Sequence, residues 1–155
     1  MLINCSVYRK GSKLAQIDLE SISDYLAQPG CFVWVALGEP SDEELATLQR
    51  EFGLHELAVE DAQVGHERPK IEEYGDTVFC VMHTIELDPA DRLVVGEVDV
   101  FAAPNFVLSI RHHSRQGFAQ VRERAEGEPH LLRDGAGFVL YALMDEVVDR
   151  YFPIL

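Results

Sequence analysis

Glu60 and Asp61 lie side by side within the stretch Phe52–Ile85, FGLHELAVEDAQVGHERPKIEEYGDTVFCVMHTI, and are the residues best suited to metal chemistry. The pattern predicts that they close a short helix. Carboxylates there face the negative end of the helix macrodipole, so a positive charge is needed nearby. A divalent cation would supply one. Asp145 and Asp149 add hard oxygen donors near the C-terminus, at i, i+4 on a predicted helix. Like charges at that spacing are mildly destabilising without a partner. Arg150 can serve one of them, and the face is then simply solvated. Mg²⁺ takes six oxygen ligands and keeps several waters, so one or two carboxylates per site suffice. Soft thiolate or clustered imidazole ligands, which would select zinc or copper, are not evident. On the residues alone, a hard-cation site and an ordinary solvated surface both remain open at Glu60–Asp61.

Other chemistries find less support. His55-Glu56 begins the metalloprotease pattern HExxH, but Val59 occupies the second histidine's place. His66, His83, His112 and His113 read as scattered over turns and strands. A hydrolase using Glu60 and His66 would lack a nucleophile or metal triad, and GxSxG, P-loop, GxGxxG and CxxC patterns are missing, so an enzyme is not expected. The net charge of −14, from 27 acidic and 13 basic residues, disfavours nucleic-acid and anionic-lipid partners. It raises the local concentration of cations. Cys5, Cys31 and Cys80 are too widely spaced for a zinc knuckle and too few for a disulfide framework, so free thiols are expected.

The elements that must position these residues read clearly. Strands are expected at Leu2–Tyr8 and Lys13–Ile17 around a Gly11-Ser12 turn, then a short helix at Ile22–Ala27. Cys31–Ala36 is apolar on both faces, as in a central strand covered on both sides. Ser41 and Glu44 form a capping box for a helix that Gly53 ends. A second helix, His55–Gln63, buries Leu54, Leu57, Ala58 and Ala62. Strands at Lys70–Tyr74, Thr77–Leu87, Leu93–Ala102 and Phe106–Arg111 are joined by short turns and should form an antiparallel meander. Arg68-Pro69-Lys70 opens the first of these, Pro starting a strand without wasting a ladder donor. Its basic residues are expected to pair with Glu67, Glu72 or Glu73.

Two helices, about Ser114–Ala125 and Asp134–Leu155, follow with an acid-rich linker Glu126–Pro129 between them. Tyr141, Met144, Val148, Tyr151 and Leu155 recur at three and four, a seam suited to a long helix or coiled coil. The pattern runs up to the last residue, as in a truncated chain. The longest apolar runs, Cys31–Leu37 and Phe138–Met144, have seven residues each, against roughly 20 for a membrane span. Together these elements predict an α/β (α+β) sandwich: a mixed, largely antiparallel sheet between helical layers, in one soluble domain over residues 1–155.

The run Phe52-Gly53-Leu54-His55, Glu60-Asp61, and His66-Glu67-Arg68-Pro69-Lys70-Ile71-Glu72 resembles the signature of the CorA family of Mg²⁺/Co²⁺ transport proteins. Trp34-Val35 and Val148-Asp149-Arg150-Tyr151-Phe152 resemble that family's cytoplasmic domain, in register from about residue 30 to 155. The resemblance implies a homopentamer in which a long stalk helix leads from this domain to two membrane helices with a Gly-Met-Asn pore motif. Divalent ions bound between neighbouring cytoplasmic domains would hold the channel closed when intracellular Mg²⁺ is high. Carried over by position, Asp61 would face a carboxylate from the next subunit's stalk, and Glu60 with Asp145 would form a second, weaker site. The stalk, membrane helices and Gly-Met-Asn motif are not in this chain. It is therefore expected to be the non-conducting cytoplasmic part, mostly monomeric alone, binding Mg²⁺ or Co²⁺ weakly and lying at the cytoplasmic face of the membrane. The alternatives are a stand-alone interaction module that docks through the Tyr141–Leu155 seam, or the domain of a zinc-transporting relative. Glu60-Asp61 favours the Mg²⁺ branch.

Overall fold

A computed structural model describes residues 1–155. Seven strands form one sheet: β1 (Leu2–Arg9), β2 (Ser12–Gln16), β3 (Cys31–Gly38), β4 (Lys70–Tyr74), β5 (Thr77–Leu87), β6 (Leu93–Ala103) and β7 (Phe106–His112). Their order is β2-β1-β3-β7-β6-β5-β4. All neighbours are antiparallel except β3 and β7, which run parallel at the sheet's centre. The expected meander is β4 to β7.

Helices cover both faces, as the two-sided apolar pattern of β3 requires. Val33 and Val35 join a core beneath α1 (Ile22–Leu26), α2 (Asp42–Phe52) and α3 (Glu56–Val64). Phe32 and Trp34 enter the opposite core, beneath α4 (Ala119–Glu126), α5 (Pro129–Leu132) and α6 (Ala136–Asp149). All three cysteines are free and buried.

The capping box of α2 forms as predicted: Glu44 N–H donates to Ser41 Oγ at 3.1 Å, and Ser41 N–H donates to Glu44 Oε1 at 2.9 Å. Ser41→Ala is expected to cost about 1 kcal/mol, measured as a lower urea midpoint with an unchanged m value.

Several boundaries differ from expectation, each for a local reason. The segment after β7 stays irregular to Gly117 because Glu86 holds it open, accepting from Ser114 Oγ and from the backbone N–H of Arg115 and Gln116. The Glu126–Pro129 linker leads straight into α5, with Pro129 at a first-turn position where its missing N–H costs nothing. The last helix is regular only to Asp149. Pro153 lacks the N–H that would bond to the carbonyl of Asp149, and a single further turn closes through Leu155 N–H to Tyr151 O at 2.9 Å. Leu57, expected inside, is exposed, and Val59 takes the buried place.

Candidate metal centre

Glu60 and Asp61 lie in the middle of α3 rather than at its end. Glu60 points to solvent, whereas Asp61 is half-buried. The positive charge that Asp61 needs comes from the protein itself. Lys70, the first residue of β4, places its Nζ 2.7 Å from Asp61 Oδ2, 2.5 Å from Glu72 Oε1 and 3.6 Å from Glu67 Oε2. Hydrogen bonds to Asp61 and then Glu72 push the Lys70 ammonium well above its usual range. The pairings expected with Glu67 and Glu72 are present, and Asp61 is the partner the sequence did not reveal. Three carboxylates share one cation, so this corner of the molecule keeps a net negative charge.

Asp145 stands exposed on α6, where it lines a groove with Arg124, Glu128 and Tyr141. Because α3 and α6 belong to opposite cores, the sheet separates Glu60 from Asp145. The two are not brought together within one chain.

The sheet instead assembles a group that sequence reasoning dispersed. His83, Glu97 and His112 are direct cross-strand partners on β5, β6 and β7. Asp99 follows Glu97 on the same face of β6 by the two-residue alternation of a strand. His112, Glu97 and Asp99 are all buried, with exposures of 5%, 4% and 0%. One ligand atom from each lies within 4.8 Å of the others. His112 Nε2 donates to the carbonyl of Ala62 at 2.5 Å and stands 3.8 Å from Asp99 Oδ2. Glu97 Oε1 accepts from the Glu67 N–H at 3.0 Å. Burial, then the neighbouring Glu97, then the charges of Asp61 and Glu67, raise the Asp99 carboxyl to about 10.

The outer wall of this group is an open cavity of about 240 Å³ whose lining includes His66, Glu67, His83, Glu97 and His113. The rings of His66 and His113 stack at 5.6 Å. The four histidines expected to be scattered therefore meet in one place. A legible signal was Glu97-Val98-Asp99 in the expected strand Leu93–Ala102: two acids on one face of a strand flanked on both sides by meander partners are buried together.

Comparison with known proteins agrees with this architecture. A family model described as CorA-like Mg²⁺ transporter protein matches residues 30–155. The chain is 38% identical over 122 residues to the protein named "Putative metal ion transporter YfjQ" of Bacillus subtilis, covering 79% of this chain and 37% of that protein. It is 34% identical over 106 residues to the cobalt/magnesium transport protein CorA of Thermotoga maritima, covering 67% of this chain and 30% of that one. The chain thus spans only about a third of the length of these two relatives. The soluble domain of CorA from Methanocaldococcus jannaschii superposes with a TM-score of 0.72 at 22% identity, over 99% of this chain and 60% of that one. From the family match and the 38% relative together, the chain belongs to the CorA-like Mg²⁺ transporter proteins.

Proposed function

We propose that this chain is the cation-sensing, gating domain of a divalent-cation transporter, with Asp61 as its principal regulatory ligand. The observation that carries this reading is the half-buried ring of Asp61, Glu67 and Glu72 around a single lysine. Three carboxylates around one ammonium retain enough negative charge to attract a second cation. They also explain why the isolated chain should bind Mg²⁺ weakly: the ion must displace, or share Asp61 with, an ammonium 2.7 Å away.

A carboxylate arriving from a neighbouring subunit of a homopentamer would change that balance. It would supply the second hard oxygen ligand and repel Asp61 unless a cation bridged them. Mg²⁺ or Co²⁺ would then favour the subunit arrangement in which the bridge forms, and a ligand shifts a conformational equilibrium only by such differential affinity. Glu60, free of ion pairs, and Asp145 would meet only across subunits, since the sheet divides them within one. The exposed seam of Tyr141, Met144 and Val148 on α6 offers an apolar face for contacts between neighbouring copies. No helix is long and apolar enough to cross a membrane, and conduction is assigned to regions outside these residues, with this domain on the cytoplasmic side.

In the complete transporter, Asp61→Asn should leave uptake intact and raise the Mg²⁺ concentration for half-inhibition at least fivefold. Unchanged Mg²⁺ inhibition would refute the role of Asp61.

A further inference from the structure

The buried row on β6 and β7 poses a separate problem from Asp61. As ionised groups, both oxygens of Asp99 and Oε2 of Glu97 lack any hydrogen-bond donor although Asp99 is fully buried, so that only a proton held between the two carboxyls or a cation can satisfy them. An unsatisfied buried carboxylate costs several kcal/mol or more, and such groups persist when paired with a proton or a metal. The carbonyl of Ala62, in the last turn of α3, is aimed at the same spot through its bond to His112. Two carboxylates and the negative end of a helix thus converge with one imidazole. We propose that Glu97, Asp99 and His112 hold a divalent transition-metal ion, of the Zn²⁺ or Co²⁺ type, in an inner site distinct from Asp61.

The donor set selects the ion. Mg²⁺ and Ca²⁺ favour oxygen ligands alone, whereas one imidazole with two carboxylates suits borderline first-row cations. Metal–ligand distances near 2.1 Å hold donor atoms about 3.4–4.2 Å apart. His112 Nε2 and Asp99 Oδ2 are already 3.8 Å apart, and the widest separation in the set, up to 4.8 Å, closes with a shift of under about 1 Å.

Coordination by Nε2 requires that its proton move to Nδ1, that the Ala62 carbonyl oxygen 2.5 Å away shift aside or turn onto the ion, and that Asp99 release its proton to solvent as the metal enters. The ring then carries its proton on Nδ1, which stands 3.8 Å from Glu39 Oε2. A carboxylate behind the second ring nitrogen is the usual support of a metal-bound histidine. Glu97 itself lines the 240 Å³ cavity, which gives an ion a path inward past His66 and His113.

The test is a Co²⁺ titration of the 155-residue chain, read by visible d–d absorption and by competition with Zn²⁺. One equivalent should bind with a ligand-field spectrum. Glu97→Gln and Asp99→Asn, which keep shape and remove charge, should each weaken binding at least tenfold, and His112→Asn should abolish the spectrum. Asp61→Asn, which removes only a nearby charge and no ligand, should weaken binding far less than Glu97→Gln or Asp99→Asn and leave the ligand-field spectrum in place, so this site and the regulatory reading stand or fall separately. A folded wild-type chain without a Co²⁺ spectrum would overturn the proposal. So would a spectrum insensitive to Glu97→Gln and Asp99→Asn but lost when His66 and His113 are replaced, which marks adventitious binding at surface imidazoles.

Discussion

Gly65→Ala should lower the stability of this chain by about 2–5 kcal/mol, while Gly53→Ala should cost only about 1–2 kcal/mol. Both glycines cap helices in the left-handed region, with φ of 69° and 67°. The conformational penalty of a Cβ, about 1–2 kcal/mol, is therefore common to them. The surroundings are not. A Cβ at Gly53 meets nothing within 4 Å, whereas at Gly65 it would lie 2.7 Å from Cγ of His112. That ring cannot swing away, because it is buried and bonded to Ala62 O. Overpacking of this kind adds about 1–3 kcal/mol. At roughly 2–4 °C per kcal/mol for a chain of this size, Gly65→Ala should lower the melting temperature by roughly 4–20 °C, about twice the effect at Gly53 or more. Equal losses at the two positions would show that His112 yields freely and that α3 is not fixed against the histidine row. The contact bears on the role proposed for Asp61, because α3 carries that residue and its C-cap, Gly65, rests on His112.

What the sequence disclosed and what it concealed follow one physical division. Local signals were sufficient for the elements: the Ser41–Glu44 box, Gly53, and strands whose alternation matches the observed Lys70–Tyr74 and Thr77–Leu87. The layering followed from β3, where both faces are apolar. Side-chain convergence is set instead by register between strands far apart in the chain. His83, Glu97 and His112 are aligned by two antiparallel ladders, and nothing local at any one of them announces the others. Lys70 illustrates the same limit at shorter range. Its bond to Asp61 depends on how the chain from Gly65 to Pro69 returns β4 alongside α3, so an acid pair apparently short of a counter-charge already had one.

In metal-free buffer with a chelator, Asp99→Asn should make the chain more stable at neutral and alkaline pH, and wild-type stability should decline as pH rises. The sign follows from proton linkage. Asp99 has a folded-state pKa near 10 against about 3.9 unfolded, so across that interval the folded chain holds a proton that the unfolded chain has released. The Asp99 contribution to stability is then greatest below about pH 4 and falls as pH climbs toward 10, by at most about 1.4 kcal/mol per unit. The lowered carboxyls of Glu44, Glu72, Glu86 and Asp88 act in the opposite sense only in acid. Between pH 4 and pH 7 this sets an upper bound of about 4 kcal/mol, which relaxation around Glu97, His112, Asp61, Glu67 and Cys80 will reduce. Asparagine removes the titration, and its NH₂ can donate to the unpartnered Oε2 of Glu97. Urea unfolding at pH 5, 7 and 9 should therefore show curves for wild type and Asp99→Asn that lie close together at pH 5 and diverge steadily, the variant above. Parallel curves would mean that Asp99 remains ionised when buried, which requires a compensating cation within the chelated protein itself. The only ammonium near that corner is Lys70, and it is already shared among Asp61, Glu67 and Glu72. With Lys70 committed at the surface, the chelated protein leaves the buried Asp99 only a proton, and that is why its stability should track pH.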